Sequence, residues 1–223
     1  DLFTVDQKRL QKIADRFEEE GISNEMAFSA WGRVNVVNKE ILQLLKRINM
    51  VYMAFGLESA SSNILESLKP GVSLDMQQKA IDLCYDVGIK VGCTFIIASP
   101  KESAEDLEKT YQFIKKNKEK ISGIEINPVI PLPGTPLWDW AFQHKLVSYD
   151  MDWDRLKDYS LFTHFDPEKY IVLNPHFHEK KYQAVFKKMS DLYLEYMDRS
   201  DMMEVILSYW NPKGESAAYS VGV

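Results

Sequence analysis

The chain has 223 residues, 45% of them hydrophobic and 12% aromatic, so it can bury one sizeable core with a small appendage. A net charge of −6 provides no basic surface for polyanions, and nucleic acid is not expected as a partner. No apolar run approaches the roughly 20 residues of a membrane helix, and no charged-then-apolar leader opens the chain. We expect a cytoplasmic protein without membrane association, in which Cys84 and Cys93 are small buried hydrophobes.

Helices and strands alternate along the first two thirds of the sequence. Apolar residues at helical spacing predict helices over residues 7–20, 73–87, 103–116 and 137–144 and a further helix capped by Asn38. Apolar runs rich in β-branched and aromatic residues predict strands over residues 26–34, 51–57, 89–98 and 121–130. Strict alternation predicts parallel strands with right-handed crossovers. Because a strand should precede the first helix, we expect further strands upstream of Asp1.

The pattern changes at the proline-rich residues 131–136, which cannot continue a sheet. An irregular aromatic segment over residues 151–175 is predicted to cover the sheet, and residues 178–210 are predicted to form one or two amphipathic helices, broken near Ser200. We therefore divide the chain into residues 1–148, a cover and helical extension over residues 149–211, and a polar tail over residues 212–223.

Short motifs follow one another along residues 1–138. They are Asp-x-Phe-Thr-x-Asp at 1–6, Arg33-Val34, Phe-Gly-Leu-Glu-Ser at 55–59, Leu-Lys-Pro-Gly at 68–71, Pro-Lys-Glu-Ser at 100–103 and Pro-Gly-Thr-Pro-Leu-Trp at 133–138. In this order the chain resembles the C-terminal part of a radical S-adenosylmethionine (radical SAM) domain, and in particular cobalamin-associated members such as the anaerobic Mg-protoporphyrin IX monomethyl ester oxidative cyclase group. The resemblance implies an α/β fold: a partial (β/α) TIM-like barrel with parallel strands, plus a helical C-terminal extension.

Three charged residues are the principal site candidates that the resemblance implies. Glu58 would stand at a strand end and hold the sulfonium ligand, because a carboxylate suits ribose hydroxyls or an α-ammonium group. Lys69 would meet the ligand carboxylate, and Arg33 could form a planar carboxylate clamp. The alternatives are a salt bridge of Glu58 across the barrel, a solvated Lys69 at a helix end, and a structural ion pair of Arg33.

The remaining candidates are less specific. Thr94 and Ile96 lie at alternate positions of a strand and would line the ribose and adenine, although core packing accounts for them equally well. Val129 would provide an apolar wall for adenine, and Ser59 follows Glu58 in the same motif. No catalytic residue is assigned from the sequence. No metal ligand is assigned either, because His176 and His178 with Glu179 lack a third ligand at a recognised spacing.

The sequence departs from the family pattern in two respects. Ala98 and Lys101 stand where the Pro-Lys-Glu-Ser turn usually has glycine, and Ala98 adds a side chain where backbone commonly approaches a ligand. The family binds a 4Fe-4S cluster through Cys-x3-Cys-x2-Cys, and Cys84 and Cys93 match neither the number nor the spacing. The chain alone is therefore not expected to cleave S-adenosylmethionine.

The resemblance implies a fragment of an iron-sulfur enzyme that performs radical chemistry on an organic small molecule, with tetrapyrrole-like compounds among the candidates. Its cofactors would be S-adenosylmethionine and a 4Fe-4S cluster, with cobalamin as a further option. An upstream cluster-binding half and a cobalamin-binding domain of the same polypeptide are the expected partners. Two alternatives remain: a degenerate barrel that acts as a binding module, and an ordinary TIM-barrel enzyme in which Glu58 and Glu102 form an acid/base pair.

Overall fold

The computed structural model describes residues 4–156 and 170–198. Its strands are β1 (Phe28–Gly32), β2 (Met50–Glu58), β3 (Lys90–Ile97) and β4 (Ile121–Pro128). Its α-helices are α1 (Gln7–Glu19), α2 (Ile22–Glu25), α3 (Lys39–Arg47), α4 (Ser62–Leu68), α5 (Leu74–Asp86), α6 (Ala104–Lys116), α7 (Pro136–Gln143) and α8 (Lys180–Asp198), and a short 3₁₀ helix covers Trp153–Leu156. The four strands and helices α1, α3, α5, α6 and α7 agree with the predicted ones to within a few residues at each end, and α8 lies within the predicted helical segment. Helix α2 and the 3₁₀ helix were not predicted.

The four strands form one parallel sheet in the order β1-β2-β3-β4, so each strand pairs with its neighbours in sequence. Helices connect successive strands, as parallel pairing requires. The predicted fold class is confirmed: the chain is an α/β protein with a partial (β/α) barrel and a helical C-terminal part. All four carboxyl ends consequently lie along one edge of the sheet.

Local sequence signals explain where the helices begin and end. Asn38 accepts a hydrogen bond from the Ile41 amide at 2.9 Å, and Ser73 accepts one from the Met76 amide at 3.2 Å. Both side chains satisfy amide groups that the first turn of a helix leaves unpaired, as predicted. Gly21, which follows α1, has a φ of 72°, a conformation that glycine adopts without steric cost.

Alternate strand residues divide the sheet into two faces. The face toward the helices carries the main core, in which Met53, Phe55, Val91 and Phe95 are fully buried. Cys84 and Cys93 belong to the same core and form no disulfide, as predicted. The opposite face is less covered, and because it holds a cavity we call it the concave face.

The C-terminal helix α8 packs against α6 and β4. A second, smaller core beyond the end of β4 contains Val129, Trp138, Ala141, Val147, Ile171 and Leu173. Residues 157–169 of the predicted cover, the predicted break near Ser200 and the polar tail lie outside the described residues. The division into three segments therefore stays a prediction. Among the helices of the described ranges, none combines the length and apolar character that crossing a bilayer requires.

Candidate functional site

The carboxyl ends of the strands bring several predicted residues to one edge. Arg33 follows β1, Glu58 ends β2, Ala98 follows β3 and Val129 follows β4. In parallel α/β folds, ligands bind at this edge because loops and strand-end side chains converge there. A ligand site is therefore expected at this edge.

Glu58 and Lys69 meet at this edge. The Lys69 Nζ lies 3.3 Å from Glu58 Oε1 and also donates to the Gly56 carbonyl, and the two side chains are 27% and 17% exposed. A Cβ at Gly56 would lie 2.5 Å from Glu58 Oε1, so glycine leaves the space for this carboxylate. Glu58 is thus ion-paired, but its partner is Lys69, the other predicted ligand-binding residue, and not a residue across the barrel as the alternative supposed.

Glu58 and Ala98 share an unusual backbone conformation. Their φ angles are 65° and 58°, in the left-handed region that residues with a Cβ seldom adopt. The value at Ala98 supplies a physical reason for glycine at the corresponding family position. The surrounding structure must hold both residues in place, since each such conformation costs on the order of 1 kcal/mol.

Glu102 holds the turn that begins at Ala98. Its Oε2 accepts hydrogen bonds from the Ala98 amide at 2.7 Å and from the Tyr182 hydroxyl at 2.6 Å. Burial raises the pKa of Glu102 to about 7, although these two hydrogen bonds act in the opposite direction. Its Oε1 is buried and has no hydrogen-bond partner among the described residues.

The same turn is tied to the segment before α8. The Asn174 side chain donates to the carbonyls of Ser99 and Glu102, each at 2.7 Å. Sequence reasoning missed Tyr182 and Asn174, which are more than 70 positions from their partners and carry no recognisable motif. Glu102 is fully buried beneath these residues, so the structure does not present it to a substrate beside Glu58 as the acid/base alternative requires.

The other predicted residues are distributed over different surroundings. The Arg33 side chain is exposed and has no ion-pair or hydrogen-bond partner among the described residues. Ser59 is buried, with its hydroxyl 3.3 Å from that of Thr110 on α6, and so does not join Glu58. Val129 is buried in the second core, against which Ile96 also packs. The ligand-binding roles of these residues stay predictions.

Thr94 lines a cavity of about 280 Å³ on the concave face. The other lining residues come from all four strands and are Ser29, Ala30, Trp31, Tyr52, Ala54, Gly92, Cys93, Gly123, Ile124 and Glu125. Sequence reasoning applied the alternation rule to β3 alone. The same rule applied to the neighbouring strands would have identified Trp31, Tyr52 and Glu125.

The described residues do not fit an iron-sulfur cluster. Cys84 and Cys93 are the only cysteines of the sequence, and both are buried in the main core. Burial raises the pKa of Cys84 to about 12 and that of Cys93 further, so both are neutral thiols and poor ligands. His176 Nδ1 lies 2.7 Å from Glu179 Oε1, and the described part of the chain contains no group of three potential metal ligands.

The residues at the strand edge do fit S-adenosylmethionine. That ligand offers ribose hydroxyls and an α-ammonium group to a carboxylate, and a carboxylate to a cation. Glu58, Lys69 and Arg33 supply these complementary groups on adjacent strand ends and the helix that follows.

Comparison with known proteins identifies the family of the chain. The sequence model of the Radical SAM superfamily matches residues 4–114, from before α1 to near the end of α6. The chain belongs to the radical SAM superfamily, which confirms the resemblance seen in the motifs.

Similar proteins include an uncharacterized methyltransferase of Pyrococcus horikoshii, 29% identical over 188 residues, which are 84% of this chain and 38% of that protein. The anaerobic magnesium-protoporphyrin IX monomethyl ester cyclase of Rubrivivax gelatinosus is 28% identical over 78 residues, 35% of this chain and 14% of that protein. The structure of the radical S-adenosylmethionine methyltransferase TsrM from Kitasatospora setae with cobalamin and a 4Fe-4S cluster bound has a TM-score of 0.61 and 13% identity, covering 92% of this chain and 49% of that one. The chain thus spans less than half the length of each.

Proposed function

We propose that this chain forms the S-adenosylmethionine-binding part of a radical SAM enzyme that acts on an organic small molecule. The observation that carries the proposal is the Glu58–Lys69 pair, held at the carboxyl edge of the sheet with Glu58 in a left-handed conformation. Strained residues at strand ends are typical of functional sites, where their position matters more than their conformational cost. Cluster ligands would come from residues outside this chain.

Each charged residue has a distinct binding role in this proposal. The Glu58 carboxylate accepts hydrogen bonds from ribose hydroxyls or an α-ammonium group, while Lys69 turns from Glu58 toward the ligand carboxylate. The Arg33 side chain, which has no ion-pair or hydrogen-bond partner among the described residues, adds a planar donor pair at the neighbouring strand end. Bound S-adenosylmethionine supplies the reactive sulfonium centre.

The relatives support methyl transfer as the reaction class. The Pyrococcus protein and TsrM are both named methyltransferases, and TsrM binds cobalamin. We therefore propose transfer of a methyl group to an organic substrate, with cobalamin as a second cofactor in the whole polypeptide. A tetrapyrrole-like substrate, which the cyclase similarity supports, is one candidate.

The proposal is tested on the product of the whole gene, reconstituted anaerobically with iron and sulfide and supplied with S-adenosylmethionine and dithionite. We expect 5′-deoxyadenosine or S-adenosylhomocysteine to form, and the KM for S-adenosylmethionine to rise about tenfold in Glu58→Gln because a charged hydrogen bond is lost. Glu66→Gln on α4 is the control. If neither product forms in the iron-loaded protein, the binding-module alternative replaces this proposal.

A further inference from the structure

The turn that follows β3 is held by residues from the C-terminal part of the chain. The superfamily model matches residues 4–114 and so ends within α6, whereas Asn174 and Tyr182 come from the segment before α8 and from α8 itself. Both side chains hydrogen-bond to the turn of residues 98–102. The part of the chain outside the family match therefore contributes to the carboxyl edge of the sheet.

Tyr182 binds the first residue of this turn. Its hydroxyl accepts a hydrogen bond from the Ala98 amide at 3.1 Å and donates one to Glu102 Oε2 at 2.6 Å, and the Ala98 amide also donates to Oε2 at 2.7 Å. All three residues are buried. The three groups therefore form a closed, buried set of hydrogen bonds around Ala98, whose φ of 58° is costly to maintain.

Asn174 binds the rest of the turn. Its side-chain nitrogen donates to the Ser99 and Glu102 carbonyls, each at 2.7 Å, and its side-chain oxygen accepts from the His176 amide at 2.7 Å. Both of its amide protons and its carbonyl oxygen are thus used, and the residue is buried. Asn174 is therefore fixed in one orientation between the turn and the segment that leads into α8.

The turn stands beyond the strand end that carries Glu58. In the register of β2 and β3, Glu58 pairs with Phe95, three residues before Ala98. At about 3.3 Å per residue, the turn begins roughly 10 Å beyond that pair, a distance that a nucleoside bound at Glu58 can span. Pro100 and Lys101 are the residues of the turn that are not buried, so the tip of the turn is open to a ligand at this edge.

We propose that Tyr182 and Asn174 are positioning residues that hold this turn in the conformation that binds S-adenosylmethionine, so that the packing of α8 sets the affinity of the strand edge for this ligand. The identity of the ligand rests on the proposed function. The two residues act through the turn backbone and through Glu102, and they do not contact the ligand themselves.

Loss of the Tyr182 hydroxyl shifts the turn toward conformations that do not bind. The Ala98 amide loses one of its two acceptors, and the buried Glu102 carboxyl group loses one of its two donors. A hydrogen bond of this kind changes an equilibrium constant by about tenfold. When the binding conformation falls to about a tenth of the population, the apparent Kd rises about tenfold.

The test measures equilibrium binding of S-adenosylhomocysteine to the product of the whole gene, reconstituted anaerobically with iron and sulfide. This probe has the adenosine, α-ammonium and carboxylate groups of S-adenosylmethionine but no methyl group to transfer, so no reaction takes place during the measurement. We expect Tyr182→Phe to raise the Kd about tenfold. Asn174→Ala removes two donors to the turn and should raise the Kd at least as much.

Val185→Ala is the matched control. Val185 is buried on α8, about one turn after Tyr182, and its shortening weakens the packing of the helix without removing a hydrogen bond to the turn. The Kd of this variant should stay within about twofold of that of the parent. Circular dichroism spectra check that each variant is folded.

The kinetic constants separate positioning from a loss of folded protein. In the activity assay of the whole gene product, Tyr182→Phe should raise the KM for S-adenosylmethionine about tenfold and leave kcat within about twofold of the parent. A purely structural role would lower kcat through loss of folded enzyme and leave KM unchanged.

An unchanged Kd in Tyr182→Phe would overturn the proposal, as would equal increases of the Kd in Tyr182→Phe and Val185→Ala. Either result leaves the proposed function intact when the parent binds the probe and Glu58→Gln binds it more weakly. If the parent does not bind the probe, the proposed function and this inference fail together.

Discussion

Among the described non-glycine residues in the left-handed region, Glu58 ends strand β2 and Ala98 follows strand β3, whereas Asn49 and Lys145 follow helices α3 and α7. Left-handed residues after helices are ordinary end caps. Those at strand ends require support from other contacts, and each has one: Lys69 for Glu58 and Glu102 for Ala98. Both contacts fix backbone at the proposed ligand edge.

Glu102→Gln tests the support at Ala98. The pKa of about 7 in the folded protein lies above the ordinary value of 4.5, so the folded state binds the proton more tightly. This contribution to stability is fully present below pH 4.5 and is lost as the pH rises through 7. We expect the free energy of unfolding of the parent chain, measured relative to Glu102→Gln, to fall by about 3 kcal/mol between pH 4 and 8.

Urea denaturation at several pH values measures this difference, because glutamine keeps an acceptor for the Ala98 amide and the Tyr182 hydroxyl without titrating. Glu119→Gln, at an exposed carboxylate just before β4, serves as the control. Parallel stability curves for the parent chain and Glu102→Gln would show that the carboxyl titrates normally.

At the scale of elements, α8 is joined to the turn after β3 by Tyr182 as well as by apolar packing on α6 and β4. Burial raises the pKa of the Tyr182 hydroxyl far above its usual range, so it remains a donor to Glu102. Helix α8 is therefore hydrogen-bonded to the turn after β3 through the buried Tyr182 hydroxyl.

Tyr182→Phe removes that donor and keeps the ring. We expect the free energy of unfolding to fall by about 1–3 kcal/mol, since the buried Glu102 carboxyl group loses one of its two hydrogen bonds. Tyr85→Phe on α5 is the control. Tyr85 is 52% exposed, so removal of its hydroxyl should lower the free energy of unfolding by less than about 0.5 kcal/mol. An equal effect of the two substitutions would mean that apolar packing alone attaches α8.

At the scale of the whole molecule, the chain has two cysteines and therefore no cysteine triad for a cluster. Both thiols lie in the main core, with pKa values raised by burial. Binding of an iron-sulfur cluster requires thiolates that are accessible to iron and sulfide from solution.

The 223-residue chain, reconstituted with iron and sulfide, is therefore expected to retain less than about 0.2 iron atoms per chain, because two neutral buried thiols cannot replace a thiolate set. Iron content and the visible absorption spectrum measure this. A Cys84→Ser variant should behave identically. A stable brown protein with stoichiometric iron would show that this chain holds a cluster by ligands other than the family triad.

Sequence alone determined most of the architecture. The alternation of helical and strand patterns gave the parallel fold, and Asn38, Ser73 and Gly21 marked helix ends through interactions within four residues. Such local signals do not depend on the rest of the chain, and they also placed Arg33, Glu58 and Val129 at one edge, since parallel strands end together.

Only the tertiary structure decided which side chains meet. The Ser59 side chain contacts Thr110 on α6 and does not join Glu58. Glu102 is buried and holds the turn after β3, because Tyr182, 80 positions later, donates a hydrogen bond to it. The cavity of Trp31, Tyr52 and Glu125 likewise depends on the register of separate strands. Register is fixed by packing of the whole core, and no short motif records it.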